Sequence, residues 1–390
     1  MKTVTLPVAY MPLVDAAPLI VAEEMGFAET EGLALDLIPA PSWSSVRDML
    51  AFGRVDAAHL LSPVPVAMAL GLGGVATEVS AVSVLSVNGN VIGIGRAIEE
   101  KMRASGYGFD FADAGRAAEA LSAAIGGRLT VGVPFPFSMH AELLRDWIAG
   151  TALKTSQIEI LTVPPPLMAQ ALADGDIDAF CVGEPWGSVA VDQDIGALLL
   201  PGKSIWEFSP EKVLAVRSDW AATEPHLLAR LMRAVWRAGR WLTEPGNVTT
   251  ASTLLSRKDY LDVSSELVDR ALSGNFMVSG QGEQRRVAGF VEFHRGAANF
   301  PWRSHAKWIA HQIAERSGLD PRPAMETAAR VFRTDLYRQS VSMTDADLPG
   351  ASEKLEGALS HPTAVASASG RMILPPDRFF DGRVFDPVAT

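Results

Sequence analysis

Apolar and polar positions switch between two periods along the first 70 residues. Val4 to Ala9 is a short apolar run of strand type, Ala16 to Met25 is apolar at helical spacing and stops at Gly26, and Ala34 to Ile38 alternates with a period of two. Ser42 to Ala51 opens on the polar run SWSS, carries Val46, Met49 and Leu50 at helical spacing, and ends before Gly53. Asp56 to Leu60 and Val64 to Leu70 repeat the strand and the helix. This alternation predicts an α/β fold of parallel sheets with right-handed crossovers, in which ligands sit beyond the carboxyl ends of the strands.

Near Val87 the pattern changes. VNGNVIGIG combines apolar residues with glycines and asparagines and suits a strand that crosses between two lobes, with a turn at Asn88-Gly89. Beyond it, Ala114 to Ala124 reads as a helix capped by Asp113. A second strand and helix series follows: Leu129 to Val133, Met139 to Ala149, Ile158 to Val163, Leu167 to Ala173 and Ala179 to Val182. A return crossing is expected near Val213 to Val216. The expected division is a discontinuous first lobe of residues 1–87 and 214–390 and a second lobe of residues 88–213, with hinges near 87–91 and 212–216. Glu224 to Thr243, Ser264 to Ala271, Trp302 to Arg316 and Pro323 to Arg333 read as helices wrapping the first lobe, and the tail from His361 is Pro-rich and irregular.

Composition narrows the function. A chain of 390 residues suits two α/β lobes, each able to bury a core. No window approaches the roughly 20 apolar residues needed to span a bilayer, so no membrane role is expected. The net charge of −11 repels nucleic acid and anions at long range, so direct nucleic-acid binding is not expected and any anion site must be built locally. The start, MKTVTLPVAYMPLVD, lacks the apolar run and cleavage site of an export signal, which predicts a cytoplasmic protein. Cys181, the only cysteine, has no local histidine partner and reads as a buried small hydrophobe. The 7 histidines lack metal-ligand spacing, and GLGG at Gly71 to Gly74 matches neither a phosphate loop nor a dinucleotide fingerprint. An enzyme, a metal site and a cofactor are therefore not expected.

One stretch, DAFCVGEPWG from Asp178 to Gly187, has no catalytic logic of its own and resembles the signature of bacterial nitrate-binding proteins, a resemblance that implies anion binding. With YMPLVDAAPLIVA, PSWSSVRDML, DAAHLLSPVPVAMALGLGG, VPPPLMAQ, SPEKVLAVRSDW, NFPWRSHAKW and FDGRVFDP, it makes an ordered motif set covering essentially the whole chain. The chain resembles the nitrate and bicarbonate binding proteins of ABC transport systems, the NrtA-like family. Within it the chain looks most like the NasS-type cytoplasmic nitrate sensors. The resemblance implies a two-lobed, periplasmic-binding-protein-like fold of type II with a ligand cleft between the lobes.

It also implies a ligand set, carried over where the local motif matches. Trp43 in PSWSSVRDM brings an indole N–H to the mouth of a helix; packing as a core anchor is the alternative. Asn90 in VNGNVIGIG stands where relatives carry glutamine, one methylene longer. His140 opens a helix, after PFPFSM in place of a glycine-rich approach, and a protonated imidazole there favours an anion. Gly183 in CVGEPW allows close backbone approach, while the neighbouring Glu184 needs a partner. Lys212 in SPEKVLAV supplies the charge, with a solvated surface lysine as the alternative. A planar monoanion with three weak acceptors calls for one cation and several N–H groups, so this set favours nitrate or nitrite over bicarbonate.

Lobe closure would turn binding into a shape signal. By resemblance, the partner is a NasT-type ANTAR RNA-binding antiterminator, held inactive and released when nitrate binds. The alternative is the substrate-binding component of a nitrate or bicarbonate ABC transporter. A third option, an enzyme on the same fold such as a thiamine-pyrimidine synthase, lacks the expected cysteine cluster.

Overall fold

The computed structural model describes residues 3–153 and 157–388. In chain order the strands are β1 (Val4–Tyr10), β2 (Leu33–Pro39), β3 (Ala57–Leu61), β4 (Val79–Asn88), β5 (Asn90–Gly95), β6 (Leu129–Val133), β7 (Ile158–Thr162), β8 (Ala179–Gly183), β9 (Gly196–Pro201) and β10 (Pro210–Arg217). Five short ones follow: β11 (Asn275–Met277), β12 (Gln284–Arg286), β13 (Val291–Glu292), β14 (Thr363–Ala364) and β15 (Ile373–Leu374). Two main sheets result, one ordered β13-β4-β10-β3-β1-β2 and the other β7-β6-β8-β5-β9.

Local chemistry sets several boundaries. Ser42, Asp113 and Ser138 each accept a hydrogen bond from the amide three residues on, and so cap the helices Trp43–Ala51, Ala114–Ala124 and Met139–Ala149. In the sheets, β1 runs parallel to β2 and β3, and β6 parallel to β7 and β8, as the alternation of strand and helix predicts. The expectation of wholly parallel sheets is corrected by β5 and β10. β10 is antiparallel to both β3 and β4, and β5 is antiparallel to both β8 and β9. These are the two strands that enter a sheet from the other lobe. Their burial pattern is that of any buried strand, and burial carries no information about direction.

Only Gly89 separates β4 in one sheet from β5 in the other. Asn88 and Gly89 have φ of 58° and 100°, in the region that asparagine and glycine tolerate best. The Asn88 carboxamide also ties this crossing to the return one: its Nδ2 donates to the Glu207 carbonyl at 2.9 Å, and its Oδ1 accepts from the Ser209 amide and hydroxyl, both at 3.1 Å. The two crossings are therefore cross-braced next to the cleft.

After β10 the chain is mostly helical: Pro225–Leu242, Pro321–Val331 and Thr334–Val341 pack on β4 of the first sheet, and Arg303–Ser317 packs on Pro321–Val331 and on the helix Pro63–Ala69. This half also touches the second sheet. The β11–β12 hairpin reaches it through Leu198 N–H to the Val278 carbonyl at 2.8 Å and an Arg103–Glu283 ion pair at 2.7 Å. The tail reaches it through Arg383, which pairs with the buried Asp146. Among the described residues no helix is long and apolar enough to cross a membrane.

Candidate functional site

The ends of strands from both sheets meet at one buried point. From the first sheet come Asp15, in the turn after β1; Trp43, in the first turn of its helix; His59 in β3; and Glu211 and Lys212 in β10. The second sheet contributes Asn90 at the start of β5, His140 at the start of the helix Met139–Ala149, and Gly183 at the end of β8, opposite Asn90. All five residues proposed from sequence are thus brought together. Asp15, His59 and Glu211 join them without having been singled out.

Lys212 is fully buried, which removes the solvated-surface alternative. Its Nζ lies 2.6 Å from Asp15 Oδ2 and 2.9 Å from Glu211 Oε1, and 5.4 Å from the centre of the Trp43 ring. Neighbours in a strand normally face opposite ways. Here the β10–β4 register shifts on either side of Lys212, and such an irregularity re-aims side chains so that Glu211 and Lys212 share one site. Burial opposes the lysine's charge, but Asp15 and Glu211 outweigh it and push its pKa up. Burial would likewise raise Asp15; Lys212 and His59 prevail and hold it well below the usual carboxylate range. For Glu211, burial prevails over Lys212 and its pKa is raised.

The two histidines differ. His59 accepts from the Met11 amide at Nδ1, 3.4 Å away, which leaves the proton of the neutral ring on Nε2, 3.0 Å from Asp15 Oδ1. His140 places Nδ1 3.1 Å from Glu211 Oε1 across the lobe boundary, obliquely, and its buried Nε2 has no partner among the described residues. Burial, then Lys212, hold the His140 pKa well below its ordinary value. The imidazolium implied by resemblance is therefore not the state of this ring in its present surroundings.

Trp43 Nε1 and the Ser86 hydroxyl are also buried without a partner among the described residues, and Ser86 sits opposite Lys212 in the β4 register. Asn90 gives its Nδ2 to Glu211 Oε2 at 2.7 Å. Its shorter carboxamide rests against Gly202, where an added Cβ would lie 1.8 Å from Oδ1. A Cβ on Gly183 would lie 2.8 Å from Leu13 Cδ2 and 3.6 Å from both Asp15 Oδ2 and His140 Nε2. The missing side chain of Gly183 thus allows a leucine and a carboxylate from the first lobe to approach the β8 backbone closely, beside the His140 ring.

The stretch Asp178 to Gly187 also docks the lobes. The Val14 amide donates to the Glu184 carbonyl at 2.9 Å, and Trp186 Nε1 donates to the Pro12 carbonyl at 2.9 Å. Cys181 is buried in β8, and burial pushes its thiol up, so no thiolate is available. The partner that Glu184 needs is the Ser188 amide, 3.2 Å from Oε2, while Oε1 is buried without a partner among the described residues. Burial pushes this carboxyl up to about 7, partly offset by Ser188. The folded pKa is raised, so its stability contribution is complete below the unfolded value near 4.5 and is lost as pH rises through 7. Glu184→Gln is expected to match the wild type in thermal denaturation near pH 4.5 and to exceed it at pH 8, by up to about 3 kcal/mol. Equal melting temperatures at pH 8 would show that Glu184 is solvated.

Among the described residues no group of three or more His, Cys, Asp or Glu is placed to hold a metal ion. Comparison with known proteins agrees with a binding architecture. NrtA, a nitrate/nitrite binding protein of Nostoc sp. strain PCC 7120, is 28% identical over 398 residues, covering 99% of this chain and 84% of that protein. NrtC, a nitrate import ATP-binding protein of Synechocystis sp. strain PCC 6803, is 31% identical over 350 residues, and the chain spans about half of its length (50%). The crystal structure of the periplasmic nitrate-binding protein NrtA from Synechocystis PCC 6803 superposes with a TM-score of 0.84 at 26% identity, covering 99% of this chain and 96% of that one. The two lobes and cleft are thus a periplasmic-binding-protein fold. Residues 1–256 match the family model as well, and the chain belongs to the NMT1-like family.

Proposed function

We propose that this chain binds nitrate or nitrite in the cleft and reports occupancy by closing its lobes. The observation that carries the reading is the convergence of groups from both sheets around one buried lysine: the unpaired donors Trp43 Nε1 and the Ser86 hydroxyl beside Lys212, with His140 and Gly183 from the second sheet. A buried donor left unpaired costs on the order of 1–3 kcal/mol, and an acceptor-only anion removes that cost. Nitrate carries three acceptor oxygens and no donor, which matches these donors. The likeness to NrtA proteins over nearly the full chain supports the same anion. A ligand held from both lobes favours the closed form by its differential affinity for it. Titration calorimetry with nitrate, nitrite and bicarbonate tests this: saturable binding of nitrate or nitrite is expected, and no heat from either ends the reading.

For the use of that signal, we favour a cytoplasmic sensor that sequesters a NasT-type ANTAR antiterminator and frees it when nitrate binds. Its support is the motif resemblance described above. The names of the relatives favour the other use, as the binding component of an ABC importer. Co-purification separates the two. A complex with an RNA-binding protein that falls apart in millimolar nitrate supports the sensor, whereas a complex indifferent to nitrate and nitrite, or none at all, leaves the transport component.

A further inference from the structure

Two observations about His140 and Glu211 combine. The first concerns protons. Nδ1 lies 3.1 Å from the Glu211 carboxylate, so a lone pair there would face negative charge and the neutral ring keeps its proton on Nδ1. That leaves a lone pair on Nε2, the nitrogen 3.6 Å from where a Gly183 side chain would begin. A lone pair repels an anion whose atoms are all acceptors. His59 shows the contrast: its Nδ1 accepts from a backbone amide, so its Nε2 already carries the proton that faces Asp15.

The second concerns charge. One cation, Lys212, lies between two carboxylates, Asp15 and Glu211. The other groups around Glu211 are Asn90 from β5, His140 from its helix, Cys181 from β8 and, beyond Asp15, His59 from β3; none of these brings a positive charge while both histidines are neutral. The cluster therefore carries one net negative charge before any anion arrives. A second uncompensated negative charge in a buried site is strongly disfavoured.

We infer that anion binding takes one proton into the His140–Glu211 pair, so that Nε2–H faces the anion while the second proton sits between Nδ1 and Oε1. This deepens the anion-binding reading above and rests on it. The proton comes from solvent, no bond other than N–H or O–H changes, and one negative and one positive charge enter together. The depressed pKa of His140 agrees, because the unbound ring is neutral in its buried surroundings. Affinity is then greatest below the pKa of the unbound pair and falls about tenfold per pH unit above it, until the pKa of the bound pair is reached.

The experiment is nitrate calorimetry at pH 7.5 in phosphate and in Tris, whose ionisation enthalpies differ, and over pH 6 to 8.5 in one buffer. Uptake of about one proton per nitrate is expected, with affinity falling toward tenfold per pH unit. Glu211→Gln offers an amide N–H to Nδ1, so Nε2 carries its proton without uptake, and the buffer dependence is expected to vanish. Nitrate that binds with no buffer dependence and constant affinity overturns the inference while leaving the anion site standing. Uptake undiminished in Glu211→Gln overturns the assignment to this pair. If that variant does not fold, the wild-type proton count decides alone. Failure of nitrate to bind at any pH removes the anion-binding reading and this one with it.

Discussion

Lys212→Ala is expected to weaken nitrate binding about tenfold or more and also to lower the melting temperature. The loss of binding follows from removing the only cation of the cluster, since a hydrogen bond to a charged group contributes about 1.5–3 kcal/mol, or roughly one to two orders of magnitude in affinity. The loss of stability has a separate cause. Asp15 and Glu211 are buried on either side of the lysine. Removing one partner of a buried ionic group typically costs about 3–5 kcal/mol, because the remaining charges stay uncompensated. The effects separate in the double variant Asp15→Asn with Lys212→Met. Neutralising both members is expected to restore most of the melting temperature and none of the affinity. Calorimetry and thermal denaturation on the same samples read both. Wild-type affinity in Lys212→Ala would remove the lysine from the site, and a wild-type melting temperature would remove the buried ionic cluster.

How much of this cluster could be read beforehand depends on the distance over which each feature is encoded. Two helices were legible to the residue: Ala114–Ala124 behind its expected cap Asp113, and Met139–Ala149, whose cap Ser138 the structure adds. The hinge turn at Asn88-Gly89 was legible because few residues tolerate positive φ. Arg96–Ala104 was missed, since its helical pattern adjoins a glycine-rich strand and an irregular segment. The antiparallel course of β5 and β10 was not legible either, as strand direction is a property of the whole sheet.

The same distinction holds in the site. Motif matching identified five residues that converge, yet their partners, although they lie inside quoted motifs, carry no sign of a role in the site. Asp15 lies just before the expected helix from Ala16, and His59 inside the expected strand Asp56 to Leu60. In SPEKVLAV the Glu211-Lys212 pair reads as a solvated strand end, where alternation would send one side chain to each face. The register shift that aims both inward depends on β4, more than 120 positions earlier, and nothing in SPEK encodes it. Sequence thus located a cation for an anion site, but not the two carboxylates that decide how that cation is used.

Gly183→Ala is expected to cost roughly 5- to 150-fold in nitrate affinity with little change in melting temperature. The added methyl would lie 2.8 Å from Leu13 Cδ2, inside van der Waals contact with a side chain that is itself buried. Overpacking a well-filled interior typically costs about 1–3 kcal/mol, which gives that range of affinity. Where the cost falls is set by the fold. Gly183 ends β8 in the second sheet, and Leu13 follows β1 in the first. The clash therefore exists only while the lobes are closed, and parting them relieves it without breaking either core. Such a substitution lowers the closed population and with it the apparent affinity, even though no donor to the anion is removed. Small-angle scattering in saturating nitrate is expected to give a larger radius of gyration for the variant than for the wild type. An affinity loss accompanied by an equal loss of stability would place the clash within one lobe, and wild-type affinity with wild-type closure would mean that Leu13 moves aside freely.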